Sequence, residues 1–315
     1  MIEINEKKSV FSNPLVLVLV ALLCCALWGS ATPAIKTGYK LLSVEGVPSI
    51  MLFAGIRFAL AGLLTVIIFS IARGRILIPK RENIPRVLTV SAFQTVIQYI
   101  FFYLGLAYTT GVKGTVTSGS GAFFAVIIAS LIFKQEKFTV KKIVACVIGF
   151  AGIVVINFNG LAFTDDFLDI LGVVFVLLST ISNSFSSVLI KRFSKYEDPV
   201  VISGYQFIVG GIFMIIIGLI FGGRITVSDV GGVLILLYLA LLSAVAYSLW
   251  GLLLKYNPVS RVTVFNFTTP IFGTFLTMLL LPEENSSVAP WNLAITLVLV
   301  SAGIFLLNFN PKKKS

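Results

Sequence analysis

Residues 151–159 read AGIVVINFN, and residues 302–310 read AGIFLLNFN. Six of the nine residues are identical at a spacing of 151 positions, close to half of the 315-residue chain. Matches between apolar residues arise easily in an apolar chain, but an Asn-Phe-Asn sequence closing the same apolar run twice does not. The sequence therefore indicates one structural module written twice.

The composition places that module in a lipid bilayer. The chain is 57% hydrophobic and 12% charged, with a mean hydropathy of +1.02, which leaves too little polar surface for a water-soluble fold of this length. The net charge of +11 lies in short basic runs between apolar segments, so no nucleic-acid partner is expected. Cys24, Cys25 and Cys146 lie inside apolar runs and act as small hydrophobes. With no histidine in the chain, the sequence predicts neither a metal site nor a cofactor.

Ten apolar runs are long enough for helices that cross a hydrocarbon core of about 30 Å. The first run is too long for the apolar core of a signal peptide. Backbone polar groups must be satisfied internally in lipid, so the runs are predicted to be helices. The predicted spans are 14–36, 47–72, 87–109, 112–134, 139–158, 168–190, 199–222, 230–254, 259–281 and 290–309.

The distribution of positive charge predicts the orientation. Of the 24 Lys and Arg residues, nineteen fall on one set of connections and four on the other, and Arg57 lies within a span. Cytoplasmic connections carry the excess of Lys and Arg, so both termini are expected in the cytoplasm. The prediction is a multi-pass protein of the cytoplasmic (inner or plasma) membrane, in contact with the lipid bilayer.

Further matches extend the repeat beyond its closing segments. Phe58 and Gly62 match Phe207 and Gly211 at a spacing of 149 positions. Five helices per unit is an odd number, so the second unit enters the membrane from the opposite side. The predicted fold is therefore an all-α membrane protein of ten transmembrane helices in a 5+5 inverted repeat. Its predicted domains are residues 14–159 and 168–310.

Short motifs in several helices identify a family resemblance. They are Leu27-Trp28-Gly29-Ser30 with Pro33 and Lys36, Ile56-Arg57-Phe58, Glu136, Thr268-Thr269-Pro270 with Glu283, and the two Ala-Gly-Ile endings. With these residues the chain resembles the drug/metabolite transporter superfamily, in its ten-helix form with two EamA-type domains. The resemblance covers nearly everything from Pro14 to Asn310. It implies alternating access without ATP hydrolysis, usually for amino acids or other metabolites.

Helix four departs from the family pattern. Ala122 and Phe123 stand where such proteins often carry the proline seen at Pro270. Gly119 and Gly121 could supply local flexibility in place of that proline.

Arg57 is the residue that the physics of a bilayer singles out. It lies about ten residues into helix two, near the predicted bilayer midplane. An unpaired arginine at that depth is costly and is expected to face the protein interior or a water-filled cavity. No Asp or Glu lies in the middle of any predicted span. Arg57 therefore either contacts the substrate or a gate, or anchors helices to one another.

Other polar and aromatic side chains cluster on several predicted helices. Gln94 and Gln98 are four residues apart, which places them on one face of an α-helix. A pocket of aromatic rings, amides and hydroxyls suits a zwitterionic or carboxylate-bearing solute, although such residues also link helices to one another. The predicted substrate-binding residues are Trp28, Ser30, Arg57, Gln94, Gln98, Tyr99, Asn183, Ser187, Tyr205, Gln206, Tyr247, Trp250 and Asn266.

The predicted function is a secondary transporter or facilitator for a small metabolite, with an amino acid as first choice and export as the expected direction. A monomer is expected, because both halves lie in one chain. The alternatives are a lipid-modifying membrane enzyme, a drug efflux protein and a non-transporting receptor. An enzyme would need acid–base pairs or metal ligands at membrane depth, and cation–proton exchange would need a carboxylate there.

Overall fold

The computed structural model describes residues 9–156, 166–227, 229–280 and 290–308. Every regular element in these ranges is helical. The repeated Asn-Phe-Asn sequence at 157–159 and the end of its copy at 309–310 lie outside the described residues, as does Glu283.

In the first half, the helices are interrupted at two points by π-helical stretches. Its helices are α1 (Pro14–Leu41), α2 (Gly46–Ala72), α3 (Ile84–Ser91), α4 (Gln98–Tyr108), α5 (Gly111–Gly119), α6 (Gly121–Ile127) and α7 (Val140–Ile156). One π-helical stretch, Ala92–Ile97, joins α3 to α4, and another, Ile128–Ile132, follows α6.

The described part of the second half has six helices and is interrupted at one point. Its helices are α8 (Phe167–Phe193), α9 (Pro199–Ile220), α10 (Val230–Tyr256), α11 (Val259–Thr263), α12 (Thr269–Leu280) and α13 (Pro290–Asn308). A 3₁₀ segment, Val264–Thr268, joins α11 to α12.

Eight helical stretches of the described chain are long and apolar enough to cross a membrane, by length and composition. The 17-residue α7 and the interrupted α11–α12 stretch fall outside that criterion. Large apolar side chains face outward along the helices, including Ile71, Val140 and Phe167 at 76%, 78% and 73% exposure. Such a surface belongs in hydrocarbon. The molecule is a multi-pass membrane protein.

Two local features refine the predicted spans. Helix α1 continues to Leu41, beyond the predicted end at residue 36, and Pro33 lies inside it. In the fourth predicted span (112–134), Gly119 and Gly121 were expected to give local flexibility. The helix is broken there, because α5 ends at Gly119 and α6 begins at Gly121. The hydroxyl of Ser120 donates to the Thr117 carbonyl oxygen (2.6 Å) at this break. Glycines therefore interrupt the helix where no proline is present.

The helices pack as two bundles beside a central pair. Helices α4, α5 and α6 pack on α8, and we call α3–α6 with α8 the first bundle. Helices α10 and α12 pack on α1, and we call α1 with α10–α12 the second bundle. Helix α2 packs along α9, and α7 packs along α13. Each of these last two pairs joins one helix from each half of the chain.

Glycines allow α2 and α9 to cross with their backbones in contact. A Cβ added at Gly55 would lie 2.6 Å from the Ile215 nitrogen and 2.9 Å from the Gly211 carbonyl oxygen. A Cβ at Gly62 would meet the Gly204 carbonyl oxygen in the same way. Higher numbers on α2 thus contact lower numbers on α9, so the two helices run antiparallel. Small residues at such a crossing are how helices approach closely in a membrane.

Polar contacts tie the two bundles together at one end of the molecule. Glu136, which follows the first bundle's α6, accepts hydrogen bonds from the Ser260 backbone N–H (3.1 Å) and hydroxyl (2.5 Å). Lys191 at the end of α8 donates to the carbonyl oxygens of Leu254 (3.0 Å) and Asn257 (2.6 Å). We call this the basic end, because its loops carry most of the Lys and Arg residues.

The ion pair of Lys113 with Asp169 (2.5 Å) has a different position. It joins α5 to α8 at the opposite end of the molecule and so lies within the first bundle. It therefore does not join the two bundles, unlike the contacts of Glu136 and Lys191 at the basic end.

Candidate functional site

Four aromatic rings meet where the two halves of the chain contact each other. Phe58 on α2 stacks on Phe207 on α9, with ring centroids 5.1 Å apart and an interplanar angle of 5°. The hydroxyl groups of Tyr99 on α4 and Tyr247 on α10 lie 3.2 Å apart. Phe58 contacts Tyr99 (4.6 Å between centroids) and Phe207 contacts Tyr247 (4.8 Å). We call these residues the four-ring cluster.

The cluster is built from repeated positions of the sequence. Phe58 and Phe207 are 149 positions apart, and Tyr99 and Tyr247 are 148 positions apart. Each phenylalanine contacts the tyrosine of its own half, and each pair of equivalent residues contacts across the interface. The centre of the molecule is therefore symmetric in its aromatic residues.

Arg57 lies beside the cluster and is 4% exposed. Its Nε and Nη2 atoms donate to the Ser243 hydroxyl at 3.2 and 2.9 Å, and its guanidinium carbon lies 5.0 Å from the Phe58 ring centroid. The Ser243 hydroxyl donates in turn to the Leu239 carbonyl oxygen (2.9 Å). Among the described residues no carboxylate forms an ion pair with Arg57. A buried cation held by neutral groups alone is costly.

Gln206 occupies the position equivalent to Arg57 in the second half, 149 residues later. It is fully buried, and its Oε1 accepts a hydrogen bond from Thr95 (2.6 Å). Thr95 and Ser243 are themselves equivalent, at a spacing of 148 positions. Each half therefore places a long polar side chain against a hydroxyl of the neighbouring helix, but only one half carries a charge there.

The π-helical stretch Ala92–Ile97 and the first residue of α4 carry two hydrogen-bond acceptors without partners. The stretch includes Gln94 and Thr95 and ends one residue before Gln98. Gln94 is 2% exposed, and the Oε1 atoms of Gln94 and Gln98 have no hydrogen-bond partner in the described part of the chain. Such stretches occur frequently at functional sites. Buried acceptors without partners need water or a ligand.

Trp28 on α1, in the second bundle, packs against the four-ring cluster. Its ring makes edge contacts with Tyr247 (5.2 Å between centroids) and Trp250 (5.0 Å). The indole Nε1 has no hydrogen-bond partner among the described residues, and neither does Nε2 of Gln206. The helices around the four-ring cluster thus carry unpartnered donors at Trp28 and Gln206, unpartnered acceptors at two glutamines, and the buried cation of Arg57. That combination suits a solute carrying both an anionic and a cationic group.

Other predicted binding residues lie elsewhere in the structure. The Ser30 hydroxyl contacts the Tyr238 hydroxyl (2.7 Å), in a side groove of about 360 Å³ that both residues line. The Tyr205 hydroxyl donates to the Leu77 carbonyl oxygen (3.1 Å) in the loop between α2 and α3. These two hydroxyl groups therefore form their hydrogen bonds with residues outside the four-ring cluster.

The remaining predicted residues lie on α8 and in the 3₁₀ segment. Ser187 is buried, and its hydroxyl donates to the carbonyl oxygen of Asn183 (3.3 Å), which is partly buried. Asn266 is partly buried in the 3₁₀ segment. These positions remain predictions.

The structure adds residues to the site that the sequence prediction omitted. Thr95 and Ser243 hold the two central polar side chains, and Phe58 and Phe207 form the stack. Tyr103 packs on Tyr99 with ring centroids 5.7 Å apart. Extending the internal alignment into the third and eighth predicted spans (87–109 and 230–254) would have found Thr95 and Ser243, because their spacing matches that of the two tyrosines.

Comparison with known proteins agrees with this architecture. The model of the EamA-like transporter family matches residues 15–158 and again residues 170–309. The chain belongs to the EamA-like transporter family. This match indicates a membrane transporter and not an enzyme, consistent with the drug/metabolite transporter resemblance.

Individual relatives of this EamA-like protein are distant. A WAT1-related chloroplastic protein of Arabidopsis thaliana is 27% identical over 90% of this chain and 67% of its own length. An uncharacterized transporter of Archaeoglobus fulgidus is 27% identical over 84% of this chain and 90% of its own length. A solved crystal structure has a TM-score of 0.76 at 16% identity, covering 92% of this chain and 97% of that one. That structural match concerns the fold alone.

Proposed function

We propose that this EamA-like protein is a secondary transporter or facilitator for a carboxylate-bearing or zwitterionic metabolite, with an amino acid as first choice. The observation that carries the proposal is Arg57, a buried cation held by the Ser243 hydroxyl and by no described carboxylate. A substrate carboxylate would supply the missing counter-charge through charge-assisted hydrogen bonds. Binding would then relieve the cost of burying the guanidinium.

Other groups on the surrounding helices support the rest of the proposed substrate class. Gln94 and Gln98 present carbonyl oxygens without partners, and such acceptors fit an ammonium group. The four-ring cluster and Trp28 provide apolar surface for a side chain. Because no acidic residue of the described ranges pairs with Arg57, a lipophilic cation would meet an unfavourable positive charge.

The topology in this proposal is ten spans in an inverted repeat, with both termini in the cytoplasm and the protein in the cytoplasmic membrane. The antiparallel crossing of the equivalent helices α2 and α9 supports inversion. The pairing of α1 with α10 and of α4 with α8 supports it too, because exchanging the halves converts one pair into the other. The excess of Lys and Arg supports a cytoplasmic basic end. Impermeant maleimide labelling of single cysteines placed in each loop would test the orientation.

The division into two bundles supports alternating access as the mechanism. The first and second bundles would rock about the α2–α9 pair, exposing the site to one side of the membrane at a time. Glu136–Ser260 and Lys191–Leu254 hold the bundles together at the basic end, so this structure corresponds to closure on that side. A monomer contains the whole pathway. We propose export as the physiological direction.

Counterflow into liposomes containing the purified protein tests the function. Labelled amino acids serve as substrates, with matched competitors that lack one charge: the amide has no carboxylate, and the N-acetyl derivative has no ammonium group. We expect the parent amino acid to compete, the amide to lose nearly all competition, and the N-acetyl derivative to lose part of it. Equal competition by all three, or exchange of a lipophilic cation alone, would contradict the substrate class. No exchange from a broad panel would contradict transport.

A further inference from the structure

A cavity of about 460 Å³ lies at the basic end, outside the central site. Its walls come from the segment after α6, the start of α7, the connection between α10 and α11, and the end of α13. Four cationic residues line it, Lys137, Lys141, Lys142 and Arg261, together with a single acidic residue, Glu136.

The acidic residue is already neutralised within the protein. Glu136 forms an ion pair with Lys142 (2.5 Å) and accepts two hydrogen bonds from Ser260. Within the described ranges, neither the Lys137 ammonium nor the Arg261 guanidinium has a side-chain hydrogen bond or ion pair. The cavity therefore carries an excess of positive charge, and two of its cations have unused donors.

The surface beside the cavity is apolar. Phe138 and Val140 flank the lining residue Thr139 and are 48% and 78% exposed, and Val144 one turn further along α7 is 42% exposed. A cationic cavity at the end of a helix, next to an exposed apolar helix face, matches both parts of a lipid: an anionic headgroup and its acyl chains.

We propose that this cavity binds the phosphate-bearing headgroup of an anionic membrane lipid. Lys137 and Arg261 donate to the phosphate oxygens, and the acyl chains lie along the apolar face of α7. A free phosphate ion would satisfy the same donors, but it would leave that apolar face without a partner.

The position of the cavity gives the bound lipid a role in the conformational change. Lys137 belongs to the segment that follows the first bundle, whereas Arg261 lies on α11 of the second bundle. Opening the basic end must separate Glu136 from Ser260. Because these two residues lie on opposite walls of the cavity, the same movement separates the walls. A headgroup held by both walls favours the closed basic end. This consequence rests on the proposed transport cycle, whereas lipid binding itself does not.

Thermal unfolding of the detergent-solubilised protein tests binding without any transport measurement. The ligands are short-chain phosphatidylglycerol, phosphatidylcholine of the same chain length, and inorganic phosphate. We expect phosphatidylglycerol to raise the melting midpoint by about 3 °C or more, with little change from phosphatidylcholine or from phosphate at equal concentration. The stabilisation should weaken as salt is raised.

A matched pair of variants locates the effect. The double variant Lys137→Gln/Arg261→Gln removes two charges from the cavity, and Arg75→Gln/Arg81→Gln removes two charges from the same end outside it. Stabilisation by phosphatidylglycerol should be lost only in the cavity variant. Equal stabilisation of both variants would overturn the site, and equal stabilisation by inorganic phosphate would overturn the lipid as its source. If binding holds but phosphatidylglycerol leaves the accessibility of the basic end to maleimides unchanged, the conformational role is overturned.

Discussion

Phe58 lies parallel to Phe207 at 5.1 Å although the two residues are 149 positions apart in the chain. The residues immediately before them, Arg57 and Gln206, also occupy equivalent positions, but one is charged and the other is neutral. A symmetric aromatic centre thus carries an asymmetric charge. A substrate with one anionic end can bind in one orientation at such a centre, because only one half offers it a cation.

Replacing Arg57 tests the role of that cation. We expect Arg57→Gln, which makes the two halves alike, to reduce counterflow at least about 100-fold, because the proposed function assigns the lost charge-assisted contact to the substrate. Arg57→Lys should retain part of the activity, since it keeps the charge and loses the planar donor geometry. Size-exclusion profiles and melting midpoints control for folding. Full activity in Arg57→Gln would remove Arg57 from substrate recognition, and unfolding of both variants would favour a role in anchoring helices.

The contact between Tyr99 and Tyr247 can be measured by a double-mutant cycle. Each of Tyr99→Phe and Tyr247→Phe removes one hydroxyl and preserves the ring packing. We expect each to raise the KM for counterflow about two- to tenfold, which corresponds to one hydrogen bond of about 0.5–1.5 kcal/mol. Because the two hydroxyls lie 3.2 Å apart, the double variant should lose less than the product of the single effects. Independent effects would show that the hydroxyls act separately.

The glycine crossing of α2 and α9 predicts a stability difference. In Gly55→Ala the new methyl would lie 2.6 Å from the Ile215 backbone nitrogen, so the helices must separate. We expect a loss of about 1–3 kcal/mol, the usual cost of overpacking. Gly273→Ala is the matched control, because the nearest atom to its Cβ would be 3.6 Å away. Melting midpoints of the detergent-solubilised variants should fall by several degrees for Gly55→Ala alone. A similar loss in both would mean that backbone contact at the crossing is not limiting.

Glu136 should control opening of the basic end. Glu136→Gln removes the ion pair to Lys142 and weakens the contact with Ser260, so we expect the end to open more often. The measurement is the rate at which a cysteine placed at the buried Ser248 reacts with an impermeant maleimide, in a protein whose native cysteines are replaced by serine. We expect an increase of about tenfold or more, equivalent to one broken charged hydrogen bond.

The control for this prediction is Glu82→Gln, which changes the same charge in the exposed loop between α2 and α3. It should leave labelling of the Ser248 position unchanged. An equal acceleration in both variants would attribute the effect to net charge and not to the contact between Glu136 and Ser260.

Much of the fold was predictable because a bilayer imposes strict requirements on sequence. Apolar runs of about 20 residues predict membrane helices, and eight stretches of the described chain satisfy that criterion. The burial of Arg57 was also predictable, because lipid does not accept an arginine near the midplane. The duplication was readable from the spacing of Phe58 and Phe207, and the two matches of the family model agree with it.

Side-chain direction was less predictable. Gln94 and Gln98 were expected on one α-helical face, but the chain between 92 and 97 is π-helical, so the helical period from which that face was inferred does not apply there. Tyr205 and Ser30 are polar residues on helices that are apolar on nearly every side. No hydrophobic stripe then shows which side of the helix faces the centre.

By itself the sequence determined that the chain lies in a lipid bilayer, that it forms helices, that it contains a repeat and that it buries a charge, since these follow from local composition and spacing. The tertiary structure decided which residues meet: Phe58 with Phe207, Tyr99 with Tyr247, and Arg57 with Ser243. The physical reason is that these contacts join residues about 150 or more positions apart. Their formation depends on the crossing of glycine-lined helices, and that crossing is fixed by close packing of the whole bundle.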